Sequence, residues 1–451
     1  ADATNEAPVY EDGVIAAGNI TGAATANSVI SALRGNTISD SAEKTMFVVY
    51  YTSEQKDVVV SGSVEGKTFG GDSTGTIEKE KLSKGVHVIY WTTGGQVTGF
   101  DDAGKTATVN LKIGDKTYGP VTISPNSVTL YQDVSIGNNT MQIAASEEGM
   151  VFDLGGKTLD STARAILLTA GTLEVKNGTV ESVFTEANKD SSAIRVGNTT
   201  TVDSSAVVKL VVAEDATVRS IGAYGIGAFI NGSSTVDYSK TTVQAEVYGN
   251  VVATNNAALS GNGSVGGATA KFVIKDSATV TGKYAGIYMP GRGSIEIDGG
   301  SVSGYSGVVM KSGKLVMTDG SIIATGANRA PMENNNGFNA TGAAIQIESN
   351  KASGSAVYYG DVEVSISGGS VVSENGIGIQ EYLAESGYTT QVNSISVTGG
   401  SVTGLIETIS VSSGAESKVR ISGGDAGQDI ETKTVSVPES GKTVDDAIKT
   451  A

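Results

Sequence analysis

Apolar and polar residues alternate in short runs along this chain, and one run recurs. Two apolar positions separated by a polar one lead into a turn and then Gly-Ser-Val or a close variant. The phrase reads Ile295-Glu296-Ile297-Asp298-Gly299-Gly300-Ser301-Val302, then Leu315-Val316-Met317-Thr318-Asp319-Gly320-Ser321-Ile322. It returns as Val364-Ser365-Ile366-Ser367-Gly368-Gly369-Ser370-Val371 and Ile395-Ser396-Val397-Thr398-Gly399-Gly400-Ser401-Val402. Alternation places Ile295 and Ile297 on one face of a strand and Glu296 on the other. The glycines supply the positive φ of a sharp corner, after which Ser-Val opens the next strand. A unit of about twenty residues cannot bury its apolar face alone, so copies must stack. Val280, Val302 and Ile322 are expected to be equivalent positions, and the long interval from Ile322 to Val371 reads as two turns plus an insertion.

The pattern divides the chain. Residues 1–45 are small and polar with one amphipathic patch, Val29–Leu33, and read as an extension or a short helix. Residues 46–127 hold strand-like runs, Met46–Tyr51, Val58–Val60, Val86–Trp91 and Thr108–Ile113, spaced for a small antiparallel β-sandwich, immunoglobulin-like in the loose sense. Residues 128–435 carry the repeat and are expected to form a right-handed parallel β-helix. About a dozen coils at strand spacing would make a rod on the order of 55 Å. Residues 436–451 read as a C-terminal cap or a docking tail, with a short helix over 443–450. Solenoid ends need covering because bare strand edges pair with other chains. The sandwich is the natural N-terminal cap; residues 1–45 are alternatively a docking tail acting by strand addition.

Composition narrows the classes. Among 451 residues there are 60 Gly and 6 Pro without a collagen triplet, so the glycines serve turns. A net charge of −17 without clustered Lys and Arg argues against nucleic acid and anionic membranes. With no Cys, disulfides and thiolate metal sites are excluded. No apolar run has the roughly 18–20 residues of a membrane span. The start Ala1-Asp2-Ala3 reads as a mature chain after signal-peptide removal, and no Leu-Pro-x-Thr-Gly sorting signal lies near Ala451.

The stretch Phe152–Leu159, with Leu173-Glu174-Val175-Lys176-Asn177-Gly178-Thr179-Val180, resembles the opening coils of right-handed β-helix proteins of the pectin-lyase-like superfamily. The Gly-Gly-Ser-Val repeats resemble those of large secreted and surface proteins of bacteria. The resemblance covers roughly 128–435 and implies the fold; the superfamily spans lyases, hydrolases, adhesins and structural parts.

Hydrolases of that superfamily carry paired aspartates, Gly-His-Gly and Arg-x-Lys on neighbouring coils. Here the sole histidine, His87, precedes the repeat, and the pairs Asp101-Asp102 and Asp445-Asp446 flank it. A lyase needs a base and carboxylates that hold calcium against a uronate. The best cluster for that is Arg292, Asp298, Lys311 and Asp319. Against it, Asp215, Asp276, Asp298 and Asp319 share a position with Asn177, Ser367, Thr398 and Ser422, which favours a corner role. Gly423-Gly424-Asp425 lacks the phase of a calcium-binding nonapeptide; weakly held surface calcium rests on charge alone. Tyr224, Tyr284, Tyr288 and Tyr305 form either a rigidifying ladder, the favoured reading, or a strip that stacks on sugars. The insertion Ala327–Asn339 offers Met332 and Phe338 as partner anchors or as pins for its own loop. Asn19, Asn177, Asn231 and Asn339 head glycosylation triplets, expected by chance in this composition.

No catalytic, cofactor-binding or metal-ligating residue is therefore assigned. The expected function is that of a noncatalytic, extracellular or cell-surface structural or adhesive protein: a homo-oligomeric subunit of a layer, filament or appendage, assembled through its termini, with surface glycans as further partners. The alternative is a polysaccharide lyase or carbohydrate-binding β-helix protein.

Overall fold

The computed structural model describes residues 10–34, 44–64, 67–71, 76–77, 84–92, 106–186, 191–199, 206–331, 337–349, 361–374, 376–383, 392–410, 416–426 and 430–434. The segments read as a C-terminal cap (436–451) and the residues Met332, Asp101-Asp102 and Asp445-Asp446 lie outside them. The chain is nearly all β, and among the described residues its helix is Ala23–Arg34. It divides into two compact units, residues 1–184 with 215–217, and residues 185–214 with 218–451.

In the first unit, Thr76–Ile77, Gly85–Thr92, Lys44–Thr52, Gly13–Asn19 and Ser127–Leu130 follow one another in an antiparallel sheet. A second sheet runs Lys67–Gly71, Val58–Val64, Ala107–Ile113 and Lys116–Ile123. Alternation in Ala107–Ile113 turns Ala107, Val109, Leu111 and Ile113 inward. They meet Val14, Met46, Val48, Tyr50 and Ile89 of the first sheet in one core. Residues 13–19, placed by the sequence within an extension, are instead an interior strand buried at every position. Their small side chains disguised them: a Cβ on Gly18 would stand 2.6 Å from the Phe47 ring.

Ser127–Leu130 pairs antiparallel with Gly13–Asn19 on one side and parallel with Met150–Ser161 on the other. The antiparallel module thus hands directly over to stacked parallel strands. Met150–Ser161 pairs in parallel with Thr172–Ser182, setting Phe152 against Val175 and Leu159 against Val180. Met141–Ala144 pairs in parallel with Ile166–Ala170. The other edge of Met141–Ala144 is covered by the helix, which buries Ala26, Val29, Ile30 and Leu33. Its Ser28 Oγ accepts from Gln142 N (2.7 Å), and Thr25 Oγ1 both accepts from Ala144 N (3.2 Å) and donates to Ala144 O (3.1 Å). An open strand edge is thereby satisfied by side chains.

The second unit is a stack of parallel strands in three series, the arrangement of a β-solenoid and consistent with a parallel β-helix. In the first series the inward ladder runs Leu210, Ala245, Phe272, Ile295, Leu315, Val364, Ile395 and Val419. The second aligns Val251, Val280, Val302, Ile322, Val371 and Val402, as the repeated phrase predicts. The third aligns Ile194, Ile226, Leu259, Ile287, Val308, Ile345, Ile379, Ile406 and Ile430. Corner glycines Gly300, Gly320, Gly369, Gly400 and Gly424 have φ of 65°, 84°, 76°, 71° and 75°. Ile322 pairs directly with Val371. The interval between them is therefore a single coil, not two turns plus an insertion; additional residues before and after Ile345–Ser349 lengthen it without adding a rung.

Candidate functional site

The corner carboxylates do stack: Asp298 pairs in register with Asp319. Their bonds are structural. Asp298 accepts from Lys275 Nζ (2.8 Å) and Thr318 Oγ1 (2.9 Å), and Asp319 Oδ1 accepts from the N–H of Gly320 (2.7 Å). The Lys275 hydrogen bond holds the Asp298 carboxyl below its ordinary range despite some desolvation. In the first unit the same corner gives Asn177 N bonding Asp215 Oδ1 (2.8 Å), Asn177 Nδ2 bonding Asp153 Oδ1 (3.1 Å), and Gly155 N bonding Asp153 (2.9 Å). Short carboxylates and amides here hold turning backbone.

Lys311 does not join that corner. It follows the strand Ser306–Met310 and pairs with Glu348 at 3.0 Å, both side chains at 0% exposure. The expected cluster of Arg292, Asp298, Lys311 and Asp319 is therefore not assembled: each carboxylate and Lys311 has other partners.

What the structure gathers instead is a buried polar network on the outer face of the third series. In Ile345–Ser349, Ile345 and Ile347 point to the core and Gln346 and Glu348 point outward, yet Gln346 and Glu348 are also at 0% exposure. Gln346 Oε1 accepts from Ser306 Oγ (2.8 Å), Thr341 N (2.8 Å) and Thr341 Oγ1 (3.1 Å). Its Nε2 donates to Asn339 O (2.7 Å), Glu348 Oε1 (3.0 Å) and Tyr382 Oη (3.1 Å). Tyr382 Oη donates to Glu348 Oε1 (2.7 Å), and burial with the Glu348 charge pushes this phenol well above its usual range. Nearby, Glu381, in register with the buried Ile347, accepts from Val392 N (3.3 Å) and Ile409 N (3.1 Å), with Lys418 Nζ at 3.9 Å.

The insertion forms part of the cover. The Phe338 ring lies 4.6 Å from that of Tyr288, whose hydroxyl donates to Gly337 O (2.9 Å). Tyr305 Oη donates to Ala327 O (2.7 Å), and the Arg329 guanidinium sits 4.0 Å over the Tyr305 ring. Phe338 pins its own loop. The four tyrosines do not form a sugar-stacking strip: Tyr224 and Tyr288 are buried with Ala257, Ala285 and Val309, while Tyr284 is exposed. Asn19, at 1% exposure, is removed as a glycosylation acceptor.

Gln346, Glu348 and Tyr382 were missed by sequence reasoning. The signal was present: an outward-facing Gln-x-Glu immediately follows an insertion able to fold over it. Elsewhere, His87 is 5% exposed, with its ring centroid 5.4 Å from that of Tyr50. A groove of about 340 Å³ beside the helix is lined by Ala24, Thr25, Asn27, Ser28, Ser31, Gln142 and Ala144, none of them titratable. Among the described residues no group of three or more His, Asp or Glu is placed to hold a metal ion, and no helix is long and apolar enough to cross a membrane.

No protein-family model matches the chain, and neither a curated protein nor a solved structure matches it.

Proposed function

We propose that this chain is a noncatalytic secreted or cell-surface protein of structural or adhesive role, built as a right-handed parallel β-helix behind an immunoglobulin-like module. The observation that carries this reading is how the chemically capable side chains are used. Asp298 holds Lys275 and Thr318, Asp319 holds its own turn, and Lys311 is sealed against Glu348. A general acid or base must reach the proton it moves, and these groups are engaged elsewhere. Right-handedness follows from the strong bias of parallel strand connections.

The stack transmits load through main-chain pairing along every rung, which suits a stiff spacer or a displayed surface. Residues 13–34 are spent within their own unit, so an assembly role for the N-terminal segment falls to a smaller part of it than the sequence suggested. A panel of uronic-acid polymers followed by ultraviolet absorbance of unsaturated product tests the reading. No product is expected. Product whose formation is lost in Arg292→Ala would replace this reading with the lyase one.

A further inference from the structure

The strand register sets Lys311 and Glu348 side by side. Met310 pairs with Ile347, both facing the core, so the next residue on each strand lies on the outer face of adjacent rungs. Lys311 Nζ stands 3.0 Å from Glu348 Oε2, and neither side chain keeps any exposure. Pairs such as Lys271–Glu296, Lys275–Asp298 and Lys314–Glu363 keep water at both ends. Burying both charges of an ion pair is costly, and a proton passing from the ammonium to the carboxylate removes both. What then faces the carboxylic acid is a neutral amine, a nucleophile.

Glu348 is arranged as the electrophile. Its Oε1 accepts from Tyr382 Oη (2.7 Å) and Gln346 Nε2 (3.0 Å). Two donors on one carboxyl oxygen are what an attacked carbonyl needs, because they hold the charge that develops there. Burial and the Glu348 charge keep the Tyr382 phenol protonated, so it donates throughout. Oε2 accepts no hydrogen bond, although the lysine is beside it. That oxygen is the one placed to leave.

We propose that Lys311 and Glu348 are a self-modification site, at which the two side chains condense to an intramolecular amide with loss of water. One ammonium proton passes to Oε2. The amine then attacks the carboxyl carbon; the C–N bond forms as the C=O electron pair moves to Oε1, held by Tyr382 and Gln346. A second proton passes from nitrogen to Oε2, the C–Oε2 bond breaks, and Oε2 departs as water with both protons. The third proton stays on the amide nitrogen. No oxidant or co-reactant is required. Fixed juxtaposition gives the amine a high effective concentration, and exclusion of water favours condensation over hydrolysis. The amide ties the Ser306–Met310 rung to the Ile345–Ser349 rung and closes the lengthened coil on itself. This goes beyond the structural or adhesive role and does not depend on it, since each copy reacts once and turns nothing over.

Intact-mass spectrometry of the denatured full chain reads the outcome directly. The purified wild type should weigh one water less than its sequence, and its tryptic digest should contain the Lys311 and Glu348 peptides joined. Lys311→Ala should restore the full mass. Glu348→Gln keeps the shape of the site but carries a different leaving group, so it should lose one ammonia in place of one water. Tyr382→Phe deletes one donor to Oε1 and should slow the reaction about a hundredfold, read as the cross-linked fraction against time after synthesis. A wild-type chain that holds its full sequence mass after days at neutral pH overturns the inference. A water loss that survives Lys311→Ala, as cyclisation at Asp319-Gly320 would give, places the chemistry elsewhere and overturns it too. The wild type carries the deciding measurement, so a variant that fails to fold does not shield the inference.

Discussion

Two lysine–carboxylate pairs in the second unit, of nearly equal length, occupy opposite environments. Lys275 and Asp298 meet at 2.8 Å on a corner where both side chains keep about a third of their surface in water (30% and 37%). Lys311 and Glu348 meet at 3.0 Å with none. The first pair is built by the repeat, one coil above another. The second exists because the coil was lengthened: the insertion brings Asn339 and Thr341 over the outer face of its sheet, where they bond Gln346, while Tyr382 donates to Glu348 Oε1. Charge on a solenoid face is cheap while water attends it; once covered it must be fully partnered.

Removing one partner of the covered pair should do the most damage. Lys311→Ala leaves Glu348 buried without its cation and should cost about 3–5 kcal/mol in urea or thermal unfolding. The paired change Lys311→Met with Glu348→Gln should recover most of that loss, because the cost lies in the unpaired charge. A double variant as unstable as the single would break the contrast. Next comes Tyr382→Phe, which deletes the hydroxyl shared by Gln346 and Glu348. It should cost about 1–2 kcal/mol and leave the far-ultraviolet spectrum unchanged.

The corner pair should be the least sensitive. Asp298→Asn is expected to lower stability by a few tenths of a kcal/mol, and that difference should shrink in ~1 M salt. Salt should leave the Lys311→Ala deficit nearly intact. The pH dependence has a definite sign. Asp298 is held below the ordinary value of 3.8 by Lys275, so its contribution is full above that value. As pH falls through it toward the lower folded value, the folded carboxylate protonates and the contribution disappears. Melting curves of wild type and Asp298→Asn should therefore converge in acid and separate toward neutrality.

Much of this was legible before any coordinates. The alternation Ile295-Glu296-Ile297, the positive-φ glycine and the Ser-Val restart are local rules, and they correctly align Val280 with Val302 and Ile322. Corner use of Asp298 and Asp319 could be read from their interchange with Ser, Thr and Asn, because a turn constrains residue type within a few positions. Local rules failed where residues far apart decide the environment. The Gly13–Asn19 strand shows no strand-like run of large side chains, since its smallness serves the Phe47 ring that packs against Gly18. The interval from Ile322 to Val371 measured like two coils because length alone cannot distinguish a rung from a loop.

The sequence by itself determined the strand period, the corners and the register, because each depends on neighbours a few residues apart and on repetition. Only the tertiary structure decided which outward faces stay wet. Gln346 and Glu348 alternate like any solvent-facing pair, and it is packing between segments distant along the chain that removes water from them and makes their partners obligatory.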